Sequence, residues 1–365
     1  MPPPLLYLGS HDVEQLLPMG ECIAVMEGAL RELARGAGVQ PLRTVMRLEG
    51  VTGLLGLMPG QISLAPEGAA DEAGGGRPRG ADARSWGAAA SSDGAAGSVA
   101  GIKVVSIFPG NRERGEESHF GAVLLFETDT GRPIAHLDAA SLTAIRTAAV
   151  SALATRLLAR EDAGDLALLG AGVQARTHLA ALREVRQLRR VRVWSRRPES
   201  ANRFSVAEGA RHGLTVEAVD SAEAAVAGAD LICTVTSSRE PVLAGAWLAA
   251  GAHVNAVGSS LAATRELDSA AVARARLFVD RRESTINESG DFLFPLREGA
   301  IHDHHILGEI GDLLLGRLAG RRSADDVTLF KSLGLAVEDL AAAHHVYRKA
   351  LALGRGVRLD GGTAA

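Results

Sequence analysis

The stretch 166–175, LALLGAGVQA, restricts the fold of this chain more than any other. An apolar run enters Gly170-Ala171-Gly172-Val173-Gln174-Ala175, and an amphipathic helical pattern leaves it. Strand, tight glycine turn and helix N-terminus in that order make a seat for a pyrophosphate, because free backbone N–H groups and the helix dipole both favour an anion there. A second apolar run, Val191-Arg192-Val193-Trp194, follows at the spacing of the next strand in a dinucleotide unit. In an NAD site an acid at its end takes the ribose hydroxyl. Here the sequence reads Ser195-Arg196-Arg197. A carboxylate would repel a 2′-phosphate, whereas two guanidiniums and a hydroxyl would bind it. The pair of signals points to NADPH, with NADH as the less preferred cofactor. A lone GxGxxA turn says little in a chain with 42 glycines. The strand before it, the helix after it and the basic strand end carry the weight.

The alternation continues beyond the turn. Strands are expected at 166–170, 191–194, 214–218, 230–235, 252–257 and 276–279, with helices between several of them. That is the pattern of an α/β fold, a Rossmann-type doubly wound parallel sheet. The first part of the chain reads differently. Residues 12–35 are helical in pattern, with Asp12 as a cap and a break at Pro18. Strand patterns occupy 42–58, around a Gly50–Gly53 turn, and then 102–108, 121–127 and 133–138. Residues 65–101 are Gly/Ala/Ser-rich with little apolar periodicity and read as a disordered insertion, with Trp86 as its one large apolar side chain. A helix is expected over 141–158 and another over 337–351. The expected division is a discontinuous α+β substrate-binding and dimerisation domain of 1–145 plus 335–365, carrying the 65–100 insertion, and a dinucleotide domain of 146–334.

Composition removes several classes of function. A net charge of −4 gives no basic surface for nucleic acid. No apolar run is long enough to span a bilayer, and the start MPPPLLYLGSHDVEQLL lacks the basic and apolar regions of a secretory signal. Cys22 and Cys233 are isolated, which fits a reducing, cytoplasmic setting. Of 39 basic residues only Lys103, Lys331 and Lys349 are lysines. Lys349, in a polar helical stretch, reads as a chance survivor, whereas Lys103 and Lys331 each sit inside a distinctive segment and point to roles that arginine cannot take.

Three segments put cations beside apolar structure: Pro41-Leu42-Arg43-Thr44, Gly101-Ile102-Lys103-Val104, and Leu142-Thr143-Ala144-Ile145-Arg146-Thr147. Lys103 sits among β-branched residues, so its ammonium needs an anionic partner if buried. Two guanidiniums and an ammonium that converge would clamp a carboxylate. Spacing alone leaves a structural ion pair open for each.

These segments resemble the ornithine cyclodeaminase/mu-crystallin family. The matching stretches are PLRTV (41–45), LMPG (57–60), GIKVVSIFPGN (101–111), SLTAIRTAAVSALATRLLA (141–159), LLGAGVQA (168–175), VWSRR (193–197), HVNAVGSS (253–260), ESGD (288–291) and FKSLGLAVED (330–339). They span nearly the whole chain apart from the insertion. The resemblance implies an NAD(P)-dependent enzyme and a homodimer. It implies that Arg43, Lys103 and Arg146 are the catalytic and carboxylate-binding cations, with His119 on a nearby strand. It also implies that Thr236, Val257 and Gly258 line the cofactor crevice and that Ser332 and Leu333 approach the nicotinamide.

Two departures narrow the activity. Cyclodeaminases of this family carry an aspartate after the VNAVG strand; here that position is Ser260, which has neither charge nor a suitable pKa for proton transfer. The Ser195-Arg196-Arg197 end also differs from the NAD-type end of cyclodeaminases. Both favour an NADPH-dependent reductase of cyclic ketimine or imino carboxylates. The alternatives are ornithine cyclodeamination, an alanine-dehydrogenase-like reaction, or binding of a thyroid-hormone-like ligand. His302-Asp303-His304-His305 lacks the spacing of a helical metal pair, so no metal is expected. Asp291 is read either as a helix cap or as a residue near the cofactor.

Overall fold

The computed structural model describes residues 5–64, 97–114 and 118–359. Trp86 and most of the expected insertion lie outside these residues. The strands in chain order are β1 (Leu5–Leu8), β2 (Gly38–Val39), β3 (Thr44–Arg47), β4 (Leu54–Ser63), β5 (Ser98–Ile107), β6 (His119–Glu127), β7 (Pro133–Asp138) and β8 (Asp165–Leu169). They continue with β9 (Arg190–Trp194), β10 (Val216–Ala218), β11 (Leu231–Thr234), β12 (His253–Ala256), β13 (Arg276–Val279), β14 (Ile306–Glu309), β15 (Thr328–Lys331) and β16 (Val357–Leu359). They form two sheets in two compact units. Unit 1 takes Met1–Leu17, Gly28–Thr143 and Ala336–Ala365; unit 2 takes Pro18–Glu27 and Ala144–Leu335.

In unit 2 every strand pair is parallel, and the order is β10-β9-β8-β11-β12-β15-β13-β14. The first five strands reproduce the 3-2-1-4-5 order of a doubly wound dinucleotide sheet. Successive residues of β8 serve opposite faces: Leu166 and Leu168 join one buried cluster, Ala167 and Leu169 the other. A sheet covered on both sides needs this continuous apolar run rather than an alternating one. Residues 18–27 group here and not with the first part of the chain; Glu27 pairs with Arg156 on the helix Ala139–Leu158.

Unit 1 holds a mostly antiparallel sheet, β16-β1-β7-β6-β5-β4-β2, with β3 on β4. The helix Ala336–Leu353 packs on β4 and β5. A Cβ at Gly101 would lie 2.5 Å from Leu340 Cδ2 and 2.4 Å from the Leu124 carbonyl oxygen, so only glycine lets the helix settle there.

Two expectations change. Composition groups residues 98–101 with the insertion, but they begin β5, paired along its whole length with β4. Asp12 caps its helix from inside the first turn and is not the N-cap residue, which is Gly9. The helix starts at Ser10, and Asp12, in its first turn, accepts the Gly9 N–H at 3.1 Å. The break at Pro18 stands between the helices Ser10–Leu16 and Met19–Ala34.

Candidate active site

The carboxyl ends of the parallel strands of unit 2 carry the expected dinucleotide residues, at the edge where doubly wound sheets bind ligands. After β8, Gly170 has φ +121° and a Cβ there would lie 2.7 Å from the Val235 carbonyl oxygen just past β11, so the turn from β8 into the helix Val173–Val185 admits glycine alone. Gly172 is the N-cap of the helix Val173–Val185, with no side-chain cap and no acid in the first turn. A Cβ on Gly172 would point into open space. Gly172 and Val173 are exposed and Ala171 half-buried, while the Gln174 Oε1 is buried without a hydrogen-bond partner. An uncapped helix N-terminus with bare backbone and an unmet acceptor beside it fits a dinucleotide pyrophosphate and ribose.

The Gly170 N–H donates to the Trp194 carbonyl at 2.8 Å, which ties this turn to the end of β9. Ser195 there is half-buried, and Arg196 and Arg197 are exposed and form no ion pair among the described residues. Two unneutralised guanidiniums at a strand end suit a phosphate monoester.

Thr236, Val257 and Gly258 follow β11 and β12. A residue absent from the sequence reading binds them together. Glu266, fully buried, accepts four hydrogen bonds: Thr236 N–H at 2.6 Å and Thr236 Oγ1 at 2.7 Å on one oxygen, Thr234 Oγ1 at 2.8 Å and Gly258 N–H at 2.7 Å on the other. Burial and the nearby charge of Asp291 push its carboxyl above the ordinary range, against Lys331 and the Thr236 bonds, which pull it down. Asp291 neither caps its own helix nor remains open to the crevice. Its Oδ1 accepts the Glu266 and Leu267 N–H groups at 2.8 and 3.0 Å, and its Oδ2 meets Lys331 Nζ at 2.8 Å. Lys331 Nζ also donates to the Ser259 carbonyl at 2.5 Å. A compact ammonium on a flexible stem thus reaches both acceptors from within β15.

At the end of β15, Ser332 and Leu333 are buried, and the Ser332 Oγ has no hydrogen-bond partner. The Leu333 and Gly334 N–H groups donate to Asp280 Oδ2 at 2.6 and 2.7 Å. Gly334 has φ +76°, and a Cβ there would lie 2.6 Å from the Arg146 guanidinium nitrogens. Buried Arg146 therefore stands against the backbone one residue beyond Leu333.

Lys103 belongs to unit 1. It is buried in β5, and its Nζ lies 2.6 Å from Asp339 Oδ2 on the helix Ala336–Leu353. Asp339 is the anion its position demanded, supplied from the far end of the chain. Met58 of β4 pairs with Lys103, and Leu57 with Thr44 of β3, so Arg43 comes to the level of Lys103 across β4. Arg43 is half-buried. His119 is not brought to that level. It opens β6 opposite Ile107, four residues along the strand, roughly 13 Å away. It is exposed, with Nδ1 2.9 Å from Ser118 Oγ. Ser260 is half-buried beside Ser259. Among the described residues no group of three or more His, Cys, Asp or Glu side chains could hold a metal, and no helix is long and apolar enough to cross a membrane. His305 of the histidine cluster has Nε2 2.8 Å from the Val272 carbonyl.

The chain matches the ornithine cyclodeaminase/mu-crystallin family over residues 83–354. It is 37% identical to ketimine reductase mu-crystallin of Mus musculus over 346 residues, 93% of this chain and 96% of that protein. Delta(1)-pyrroline-2-carboxylate reductase of Bacillus cereus (strain ZK / E33L) is 32% identical over 357 residues, 98% of this chain and 100% of that protein. Among solved structures, Thermococcus litoralis Delta(1)-pyrroline-2-carboxylate reductase in complex with NADH and L-proline has a TM-score of 0.86 and 35% identity, covering 97% of this chain and 100% of that one. On the span of the family match and on the identity to full-length relatives, the chain belongs to the ornithine cyclodeaminase/mu-crystallin family.

Proposed function

We propose that this protein is an NADPH-dependent reductase of cyclic ketimine or imino carboxylates, working as a cytoplasmic homodimer. The observation that carries the reading is an intact dinucleotide seat in a family member whose cyclodeaminase acid is replaced by the neutral Ser260. Without that acid the chain has no proton acceptor for a redox-neutral cycle at this position, and a net transfer to the substrate remains. The relatives named as reductases support the same direction. The unpaired Arg196 and Arg197 support NADPH over NADH, although the Thermococcus litoralis protein carries NADH.

When bound, the cofactor supplies a hydride. The imine nitrogen takes up one proton, brought in with the substrate as iminium or supplied by Lys103 or water, and the chain's own residues bind and orient the substrate. Arg43, Lys103 and Arg146 bind the substrate carboxylate and fix the C=N carbon in one orientation. Such positioning is worth on the order of several kcal/mol. Asp339 holds the Lys103 ammonium in place and compensates its charge. Arg146, braced on Gly334, presents its guanidinium beside the Ser332–Leu333 segment, which the same reading assigns to the nicotinamide.

Steady-state oxidation of NADPH with Δ1-pyrroline-2-carboxylate and Δ1-piperideine-2-carboxylate tests this directly. Stoichiometric formation of the saturated cyclic amino acid is expected. Release of ammonia from ornithine with no net cofactor consumption would overturn it in favour of cyclodeamination, and ligand binding with no turnover in favour of a binding protein.

A further inference from the structure

Glu266 lies behind the proposed cofactor crevice and takes no part in the reaction described above, yet its side chain bonds both the loop after β11 and the loop after β12. Resting on the dinucleotide assignment of the proposed function, we propose that Glu266 is a positioning residue that sets the separation of these loops and thereby the grip on the nicotinamide half of the cofactor. Asp291 and Lys331 brace it from behind.

The geometry is closed. Each Glu266 oxygen accepts one backbone N–H, Thr236 on one side and Gly258 on the other, so the carboxylate clips the two loops together just beyond the direct Val257 and Gly258 N–H bonds to the Thr234 carbonyl, at 3.0 and 3.1 Å. The packing leaves no slack. A Cβ on Gly258 would lie 2.2 Å from the Thr236 carbonyl oxygen and 2.6 Å from Glu266 Oε1. Asp291 fixes the backbone of Glu266 itself, and Lys331 joins Asp291 to the Ser259 carbonyl on the same loop as Gly258. Glu266, Asp291 and Lys331 come from three separate segments and are almost wholly excluded from solvent. A carboxylate is required because both loops offer donors. An amide in its place must turn its NH2 toward one of the two backbone N–H groups, and that contact is donor against donor. The adenosine half of the cofactor would be held elsewhere, by the Gly170–Gly172 turn and Arg196–Arg197, so the two halves should respond separately.

Isothermal titration of Glu266→Gln with NADPH and with 2′,5′-ADP tests this. The expected result is a rise of about tenfold in Kd for NADPH, with the Kd for 2′,5′-ADP within about twofold of the unsubstituted protein. An unchanged NADPH affinity overturns the proposal. So does equal weakening of both ligands, which is the signature of general loosening. If Glu266→Gln gives no cooperative thermal melt, Thr234→Val replaces it. That change removes one hydroxyl donor to the same carboxylate from within β11. About a threefold loss toward NADPH alone is then expected, and no loss overturns the idea. NADH and 5′-ADP serve as probes if the protein prefers the unphosphorylated cofactor. These are binding measurements: a protein that follows this pattern but reduces no imine defeats the proposed reaction and leaves the role of Glu266 standing. One that binds neither dinucleotide defeats both.

Discussion

Lys103 and Asp339 show what a buried charge demands of a sequence. The ammonium is 5% exposed and the carboxylate 0%, with 2.6 Å between them. Removing one member leaves the other charged without its partner, a loss of about 3–5 kcal/mol in buried pairs. Asp339→Asn is therefore expected to lower the unfolding free energy by about 3 kcal/mol, read as a shift in the denaturant midpoint at constant slope. Lys103→Met in the Asp339→Leu background should recover part of that loss, since two apolar groups need no partner. If the double variant is as unstable as the sum of the two singles, the pair is not the coupling that the distance implies. On the reaction, Lys103→Met should abolish imine turnover while NADPH binding stays near normal; loss of binding to the same degree would remove it from the substrate clamp. Replacing Arg196 and Arg197 by alanine should raise the KM for NADPH far more than that for NADH. Equal effects on both cofactors would reject the 2′-phosphate role.

The elements were legible wherever one segment carries its own signal. β8, β9, β11 and β12 are apolar runs with glycine or polar ends, and the sequence reading placed each within a residue or two. β15 was missed as a strand, because Thr328-Leu329-Phe330-Lys331 ends in a cation that looks wrong for a central strand until Asp291, forty residues earlier, is seen to meet it. The same reason hid Glu266. Its partners lie 30 and 32 residues upstream and 8 upstream, and no local pattern marks a carboxylate that serves distant backbone. The glycine turn was legible because backbone geometry alone dictates it. Gly170→Ala should meet the Val235 carbonyl in a left-handed conformation that disfavours a side chain, costing about 1–3 kcal/mol. It should weaken dinucleotide binding, measured by titration. In unit 1, Gly101→Ala has no such ligand readout. It should instead displace the helix Ala336–Leu353 from β5 and lower the melting temperature. An unchanged melt would show that the helix has room to spare.

Over the whole molecule, acid should be more damaging than the modest net charge implies. His178 and His253 are fully buried, and burial pulls their pKa values down to about 4 and about 3 from 6.5. Unfolding frees both to bind protons at their ordinary pKa. Their contribution is thus intact above pH 6.5 and is lost as pH falls through 6.5 toward the folded values. At about 1.4 kcal/mol per pKa unit, the two together amount to several kcal/mol by pH 4. Glu266 works the other way, since its carboxyl is raised on folding and its protonation favours the folded state, but His344, also pulled down to about 4 by burial, adds to the two histidines. Denaturant midpoints at pH 7, 5.5 and 4.5 should fall steadily, and His253→Gln should flatten the trend. A level profile would mean these rings are not held neutral.

The position of β15 has a consequence for synthesis. It is the last strand of its sheet to be made, yet it lies between β12 and β13, both of which leave the ribosome earlier. Until residue 331 emerges, those two strands present open edges to any other strand in reach. The other sheet waits still longer, since the helix that covers β4 and β5 and the edge strand β16 follow β15 in the chain. Neither half can close early, so a nascent chain stalled before Lys331 has emerged would expose both sheets and be a substrate for chaperones rather than a half-finished enzyme.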